Sequence, residues 1–217
     1  MTSESCRLYL ISPPAIELSA FKKQLAEAFS GGDVASFQLR LKDASDADIL
    51  KAAEALIPIC HEHDAAFIMN DRADRALKCH ADGVHIGQDD GDIKKIRAQV
   101  GKDMIIGASC HDSRHLAMVA GEDGADYVAF GAFYPTKSKN PEAMKKWGVP
   151  SPEILSWWSE NTLLPCVAIG GITPANCAPL VKAGADFIAA ITAVWEHPDG
   201  PARAVEAFNR AIERALT

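Results

Sequence analysis

The chain has 217 residues, 48% of them hydrophobic and 24% charged, an ordinary globular composition with room for one large domain. Its formal net charge of −7 argues against a broadly basic surface for nucleic acid. No apolar run reaches the roughly 18 residues of a membrane helix, and the opening Met-Thr-Ser-Glu-Ser-Cys-Arg lacks the basic start and apolar stretch of a secretory signal.

Nucleic acid and membrane are therefore not expected partners, and the cytoplasm is the expected location. Six cysteines stand at 6, 60, 79, 110, 166 and 177, with no Cys-x-x-Cys pair. Most sit in apolar runs and read as small buried hydrophobes in a reducing compartment.

Short apolar runs rich in Val, Ile, Phe and Leu predict strands at Leu8–Ser12, Ser36–Leu41, Ala66–Asn70, Gly83–Gly87, Met104–Ser109, Tyr127–Phe133, Cys166–Gly171 and Phe187–Thr192. Continuous apolar runs are how strands covered on both faces read. Amphipathic segments lie between them. Residues 16–29 put Leu18, Phe21, Leu25 and Phe29 on one helical face, and residues 46–61 do the same with Ile49, Leu50, Ala53, Leu56 and Ile57. Ser45 or Asp46 is placed to cap the second helix. Thr173-Pro174 reads as the start of the seventh, and Gly200-Pro201 as the start of the last.

One internal echo recurs before strands: Ala81-Asp82-Gly83-Val84, Gly124-Ala125-Asp126-Tyr127 and Gly184-Ala185-Asp186-Phe187. In the latter two, glycine is placed to end a helix in the left-handed conformation. Eight strand–helix units of about 25 residues predict an α/β fold, a single (β/α)8 TIM barrel over residues 1–217. An open doubly wound sheet is the alternative.

In such a barrel the active site lies at the C-terminal ends of the strands. The second run ends Gln38-Leu39-Arg40-Leu41-Lys42, and alternation puts Gln38, Arg40 and Lys42 on one face. Two neighbouring cations in a barrel mouth call for an anion; the alternative is a solvated loop end. The third run ends Asn70-Asp71, and the fourth Gly87-Gln88-Asp89-Asp90. Carboxylates from adjacent strand ends suit Mg2+, which bridges one or two carboxylates to substrate phosphates. Against this, Asp90 or Asp92 could simply cap the next helix.

The fifth run brings Ser109 and His111, the latter either an acid or base or a helix cap. After the sixth, Pro135-Thr136-Lys137-Ser138-Lys139 offers hydroxyls and cations for phosphate, and the polar stretch to Pro150 reads as a mobile lid. Gly170-Gly171 and Thr192 end the seventh and eighth runs, and the loops there are where phosphate-binding barrels hold their ligand. Two anion sites in one mouth imply small-molecule phosphorylated substrates. The sequence leaves a homo-oligomer open.

These residues resemble a known family. Gln38-Leu-Arg-Leu-Lys42, Asn70-Asp71, Asp82-Gly-Val-His-Ile-Gly-Gln-Asp-Asp90, Gly107-Ala-Ser109, Pro135-Thr-Lys-Ser-Lys139 and Ile169-Gly-Gly-Ile172 are similar, in order and across almost the whole chain, to motifs of the thiamine phosphate synthase family. The resemblance implies condensation of hydroxymethylpyrimidine pyrophosphate with hydroxyethylthiazole phosphate. It implies Asp71 and Asp90 as magnesium ligands, and Arg40, Lys42, Asn70 and Lys139 on the pyrophosphate, with Arg40, Lys139 and Ser109 carrying the catalysis. Gln38 and Ser109 would face the pyrimidine; Thr136, Ser138, Gly171 and Thr192 would meet the thiazole phosphate.

Ser138, Asp89 and Thr192 replace the threonine, glutamate and serine commoner in the family, and Phe187 and Ala190 alter the start of the eighth strand. A thiazole tautomerase acting through His111, or a silent phosphate-binding barrel, are the rival readings.

Overall fold

The computed structural model describes residues 5–136 and 148–217. Its elements, in chain order, are β1 (Arg7–Ile11), α1 (Leu18–Ser30), β2 (Ser36–Leu39), α2 (Asp46–His61), β3 (Ala66–Asn70), α3 (Ala73–Cys79), β4 (Gly83–Ile86), α4 (Ile93–Val100), β5 (Ile105–His111), α5 (Arg114–Glu122), β6 (Tyr127–Gly131), α6 (Glu153–Asn161), β7 (Cys166–Ile169), α7 (Ala178–Lys182), β8 (Phe187–Ala190), α8 (Thr192–Trp195) and α9 (Pro201–Leu216). The eight strands pair in parallel in sequence order, and β1 pairs with β8 to close a barrel. The open-sheet alternative is thereby set aside.

Strand alternation sorts the side chains into two apolar layers. Leu8, Leu10, Phe37, Leu39, Phe67, Met69, Val84 and Val128 point outward into the core shared with the helices. Tyr9, Ile11, Ile68, Tyr127, Ala129, Val167 and Ala189 fill the barrel axis. Both faces of each strand are covered, which is why the runs look continuous rather than alternating. The helices contribute one stripe each: Phe21, Leu25, Ala28 and Phe29 from α1, and Val205, Phe208 and Ile212 from α9.

The internal echo has a structural cause at the bottom of the barrel. Asp82, Asp126 and Asp186 each stand just before an even-numbered strand. Each side chain accepts a hydrogen bond from the first part of the preceding strand: Phe67 N–H at 2.7 Å, Ile106 N–H at 2.7 Å and Cys166 N–H at 2.8 Å. The helix end before each is also alike. Ala125 N–H donates to Ala120 C=O, and Ala185 N–H to Leu180 C=O, across Gly124 (φ 100°) and Gly184 (φ 93°). At the third copy no glycine is present, and His80 takes the left-handed conformation instead (φ 56°), with Ala81 N–H donating to Ala76 C=O. This sits on the face of the barrel that serves stability rather than chemistry.

Most strands end earlier than their apolar runs, and residues beyond the strand ends, among them Arg40, Gly87, Gly170 and Thr192, line the mouth. Ser45 is the cap of α2, its hydroxyl accepting from Asp48 N–H at 3.1 Å. Thr173-Pro174 does not open α7. Thr173 C=O accepts from Asn176 and Cys177 N–H in a turn, and the helix starts at Ala178. All six cysteines are unpaired, five of them buried. Burial pushes the thiols of Cys110 and Cys166 up to about 12, so they are inert hydrophobes. No helix among the described residues is long and apolar enough to cross a membrane.

Replacing Asp186 by alanine removes the acceptor from Cys166 N–H and is expected to cost about 1–3 kcal/mol. The midpoint of urea unfolding reads this directly. An unchanged midpoint would show that the bracket carries no stability.

Candidate active site

The loops at the C-terminal ends of the strands enclose a cavity of about 200 Å³. Its floor is the top of the axial layer: Tyr9, Tyr127, Ala129, Val167 and Ala189. A chain of hydrogen bonds crosses that floor. The Tyr9 and Tyr127 hydroxyls are 2.9 Å apart, Tyr127 OH is 3.0 Å from His85 Nδ1, and His85 Nε2 is 2.9 Å from Ser109 Oγ. Burial raises both phenols well above their ordinary range, so neither hydroxyl ionises. In a low-dielectric interior a connected network of this kind fixes its members, and here it ends by fixing Ser109. Gly107 makes room for it: a β-carbon there would lie 2.0 Å from Tyr127 Cζ.

A second network runs along the ends of β2 and β3. Gln38 is buried, and its Nε2 donates to Asn70 Oδ1 at 2.8 Å; Asn70 Nδ2 in turn donates to Asp71 Oδ2. Asp71 sits in a tight turn with φ 63°. Its N–H donates to His85 C=O at 2.7 Å, and Arg72 N–H reaches back to Asn70 C=O at 2.8 Å. A non-glycine residue in this region is uncommon and marks a position held by its surroundings.

Asp90 comes back towards Asp71 on a turn closed by Asp90 N–H donating to Gly87 C=O at 3.1 Å. The carboxylates crowd Gly87 so closely that a β-carbon there would lie 2.0 Å from Asp90 Oδ2 and 3.7 Å from Asp71 Oδ1. The capping role belongs to Asp92, whose side chain accepts from Lys95 N–H at 3.0 Å at the start of α4. Asp90 is left to the cavity.

The Asp71 carboxyl is pushed up to about 6, first by burial and then by the charge of Asp90, while the Arg40 guanidinium opposes the rise. A raised carboxyl holds its proton more tightly in the folded chain than in the unfolded one. The pair thus costs stability above about pH 6, and that cost is absent below the ordinary value of 3.8. Two carboxylates forced together beside one guanidinium suit a hard cation. Among the described residues no group of three or more His, Cys, Asp or Glu forms a larger cluster.

Arg40 lines the cavity, its N–H donating to Ser12 Oγ at 2.8 Å. Lys42 does not join it, contrary to the shared face expected from alternation. β2 stops at Leu39, Lys42 N–H donates to Pro14 C=O, and the residue is exposed outside the cavity lining. Ser113 caps α5 through Leu116 N–H, so His111 is not the cap. It ends β5 at φ 52° and lines the cavity.

Thr136, Gly170, Gly171 and Thr192 complete the wall. Thr192 begins α8, which is anchored by Trp195 Nε1 donating to Ile11 C=O at 2.7 Å and by the Trp195 ring against Phe21. Ser138 and Lys139, with the part of the expected lid up to residue 147, lie outside the described residues.

Tyr9, His85 and Tyr127 were not singled out from the sequence. Their signal was parity: each stands an even number of residues from an axial neighbour (Ile11, Gly83 and Ala129) and so had to face the axis.

The chain matches the family described as thiamine monophosphate synthase over residues 8–194. It is 56% identical to the thiamine-phosphate synthase of Rhodospirillum centenum, over 95% of this chain and 98% of that one. It is 51% identical to that of Hyphomonas neptunium, over 95% and 94%. Among solved structures, a thiamine phosphate pyrophosphorylase from Pyrococcus furiosus superposes with a TM-score of 0.83 at 32% identity, covering 97% of both chains.

Replacing Asp90 by asparagine removes the second cause of the Asp71 shift. The Asp71 titration, followed by NMR, is expected to move down towards the ordinary range without reaching it, because burial remains. A titration that stays where it was would show that the two carboxylates do not interact.

Proposed function

The chain belongs to the thiamine monophosphate synthase family and is a transferase that forms thiamine phosphate; we propose that its mouth works by magnesium-assisted departure of pyrophosphate ahead of carbon–nitrogen bond formation. The observation that carries this reading is the Asp71–Asp90 pair, held together at Gly87 and facing Arg40. Asp71 and Asp90 would hold Mg2+, which needs one or two carboxylates plus phosphate oxygens. Bound there, the ion would neutralise charge on the diphosphate.

Arg40, Asn70 and Lys139 donate to the diphosphate of hydroxymethylpyrimidine pyrophosphate. Lys42, on the exposed rim, contributes attraction at longer range. Gln38 and Ser109 orient the pyrimidine; both are positioned by partners, Asn70 for one and His85 for the other. As the bond between the methylene carbon and oxygen breaks, its electron pair leaves with pyrophosphate, and the cationic donors stabilise the growing charge. The thiazole nitrogen of hydroxyethylthiazole phosphate then gives its lone pair to the methylene carbon.

No enzyme nucleophile is required. The apolar floor of Ala129, Val167 and Ala189 keeps water away from the electron-poor carbon. Thr136, Ser138, Gly171 and Thr192 receive the phosphate of the second substrate. We take residues 1–217 as one catalytic domain. We place it in the cytoplasm, where unpaired thiols persist.

Pyrophosphate release is expected only when both substrates and magnesium are present, and to stop in excess chelator. Release that survives the chelator would remove the metal from the mechanism. Arg40→Ala and Lys139→Ala are each expected to lower turnover about 100-fold or more, the loss typical of a transition-state donor; near-normal rates in both variants would refute these roles. Calorimetric titration with magnesium should show weaker binding at pH 5 than at pH 8, since a proton on Asp71 competes as pH falls through about 6. Equal affinity at both would detach Asp71 from the metal.

A further inference from the structure

Two loops meet on the side of the mouth where the second substrate's phosphate is received. The loop after β6 carries Thr136, and the loop after β7 carries Gly170 and Gly171. Their backbones stay bonded past the strand ends: Phe133 N–H donates to Ile169 C=O at 3.1 Å and Tyr134 N–H to Gly170 C=O at 3.0 Å. At Gly171 the contact is tight enough that a β-carbon would lie 2.4 Å from Pro135 O.

Asn176, in the turn that leads into α7, brackets the second loop from behind. Its Oδ1 accepts from Thr173 N–H at 2.7 Å, and its Nδ2 donates to Gly171 C=O at 3.1 Å. The Tyr134 hydroxyl, from the first loop, donates to Asn176 C=O at 2.9 Å. One residue thus holds the ends of the glycine loop and also receives the neighbouring loop.

We propose that Asn176, with Tyr134, is a positioning residue that locks the two halves of the phosphate cradle, Thr136 on one loop and Gly171 on the other, into one arrangement for hydroxyethylthiazole phosphate. The proposal rests on the assignment of Thr136 and Gly171 to that phosphate. Neither Asn176 nor Tyr134 lines the cavity, so both act through the loops. A backbone cradle works only if its groups are already aimed when the anion arrives. Glycines alone cannot supply that aim, because their backbone is the freest of all. Asn176 supplies it.

Steady-state kinetics with both substrates test this. Asn176→Ala is expected to raise KM for hydroxyethylthiazole phosphate about tenfold, the loss expected of one or two hydrogen bonds. KM for hydroxymethylpyrimidine pyrophosphate should stay within about twofold. Asn176→Asp keeps the acceptor for Thr173 and should fall between the two. Tyr134→Phe removes a single hydroxyl at little risk to folding and should shift the same KM by a smaller factor.

A KM for hydroxyethylthiazole phosphate that does not move in Asn176→Ala and Tyr134→Phe would overturn the proposal, as would equal rises for both substrates. Calorimetric titration of the parent and variant chains with hydroxyethylthiazole phosphate alone separates this proposal from the reading beneath it. If the parent binds and the variants bind as tightly, the latch fails. If the parent does not bind at all, the phosphate assignment fails and the latch falls with it.

Discussion

Closing eight parallel strands into a ring leaves half of every strand's side chains facing a shared axis. That space must be filled, and it is filled with Tyr9, Ile68, Tyr127, Val167 and their neighbours. Because strand side chains alternate, the same parity that packs the axis also decides which residues look up into the mouth. Asn70 reaches the cavity because it sits one pleat above the axial Ile68, and Gln38 and Ser109 share that inward parity on their own strands. The dry floor and the polar rim are two levels of one stack, and a one-residue slip of any strand would exchange its axial residues for its outward ones.

Above the floor the structure departs from what folding alone would favour. Asp71 is held in a left-handed turn, faces a second carboxylate and is raised by burial. None of these features adds stability. Arg40 offsets part of the repulsion, and a bound cation and diphosphate would offset the rest. Sites where local rules are broken in one place and supported from several directions are where ligands are expected. The support comes from Asn70, from the His85 carbonyl and from the turn at Gly87, none of which would need this arrangement for the barrel itself.

Much of this was legible in the sequence, and the limits have physical causes. Strand number and order followed from apolar runs at regular spacing. Asp71, Asp90, Arg40 and Thr136 could be placed because they stand at the ends of those runs or within three residues beyond them. The capping ambiguity between Asp90 and Asp92 could not be resolved, since both are one turn or less from α4 and only a hydrogen bond distinguishes them. Lys42 was misplaced because alternation was carried three residues past the true end of β2, where Arg40 N–H donates to Ser12 Oγ and Lys42 N–H to Pro14 C=O in place of the ladder. Thr173-Pro174 has the chemistry of a helix start, yet the bracket by Asn176 holds that segment as a turn. The Tyr9–Tyr127–His85 chain joins residues 42 to 118 apart in sequence, and no local pattern encodes such a meeting.

The aspartate brackets bear on how the ring assembles. Each spans only 15 to 20 residues of chain, so the entropy lost in closing it is modest. Three strand pairs, β3 with β4, β5 with β6 and β7 with β8, can each gain a bonded edge before the rest of the barrel exists. The β1–β8 seam is different: it aligns Arg7 with Phe187 and must bring distant parts of the chain together. Contacts at such separation form late and slowly. A chain built this way would gather as bracketed pairs and be sealed last at that seam.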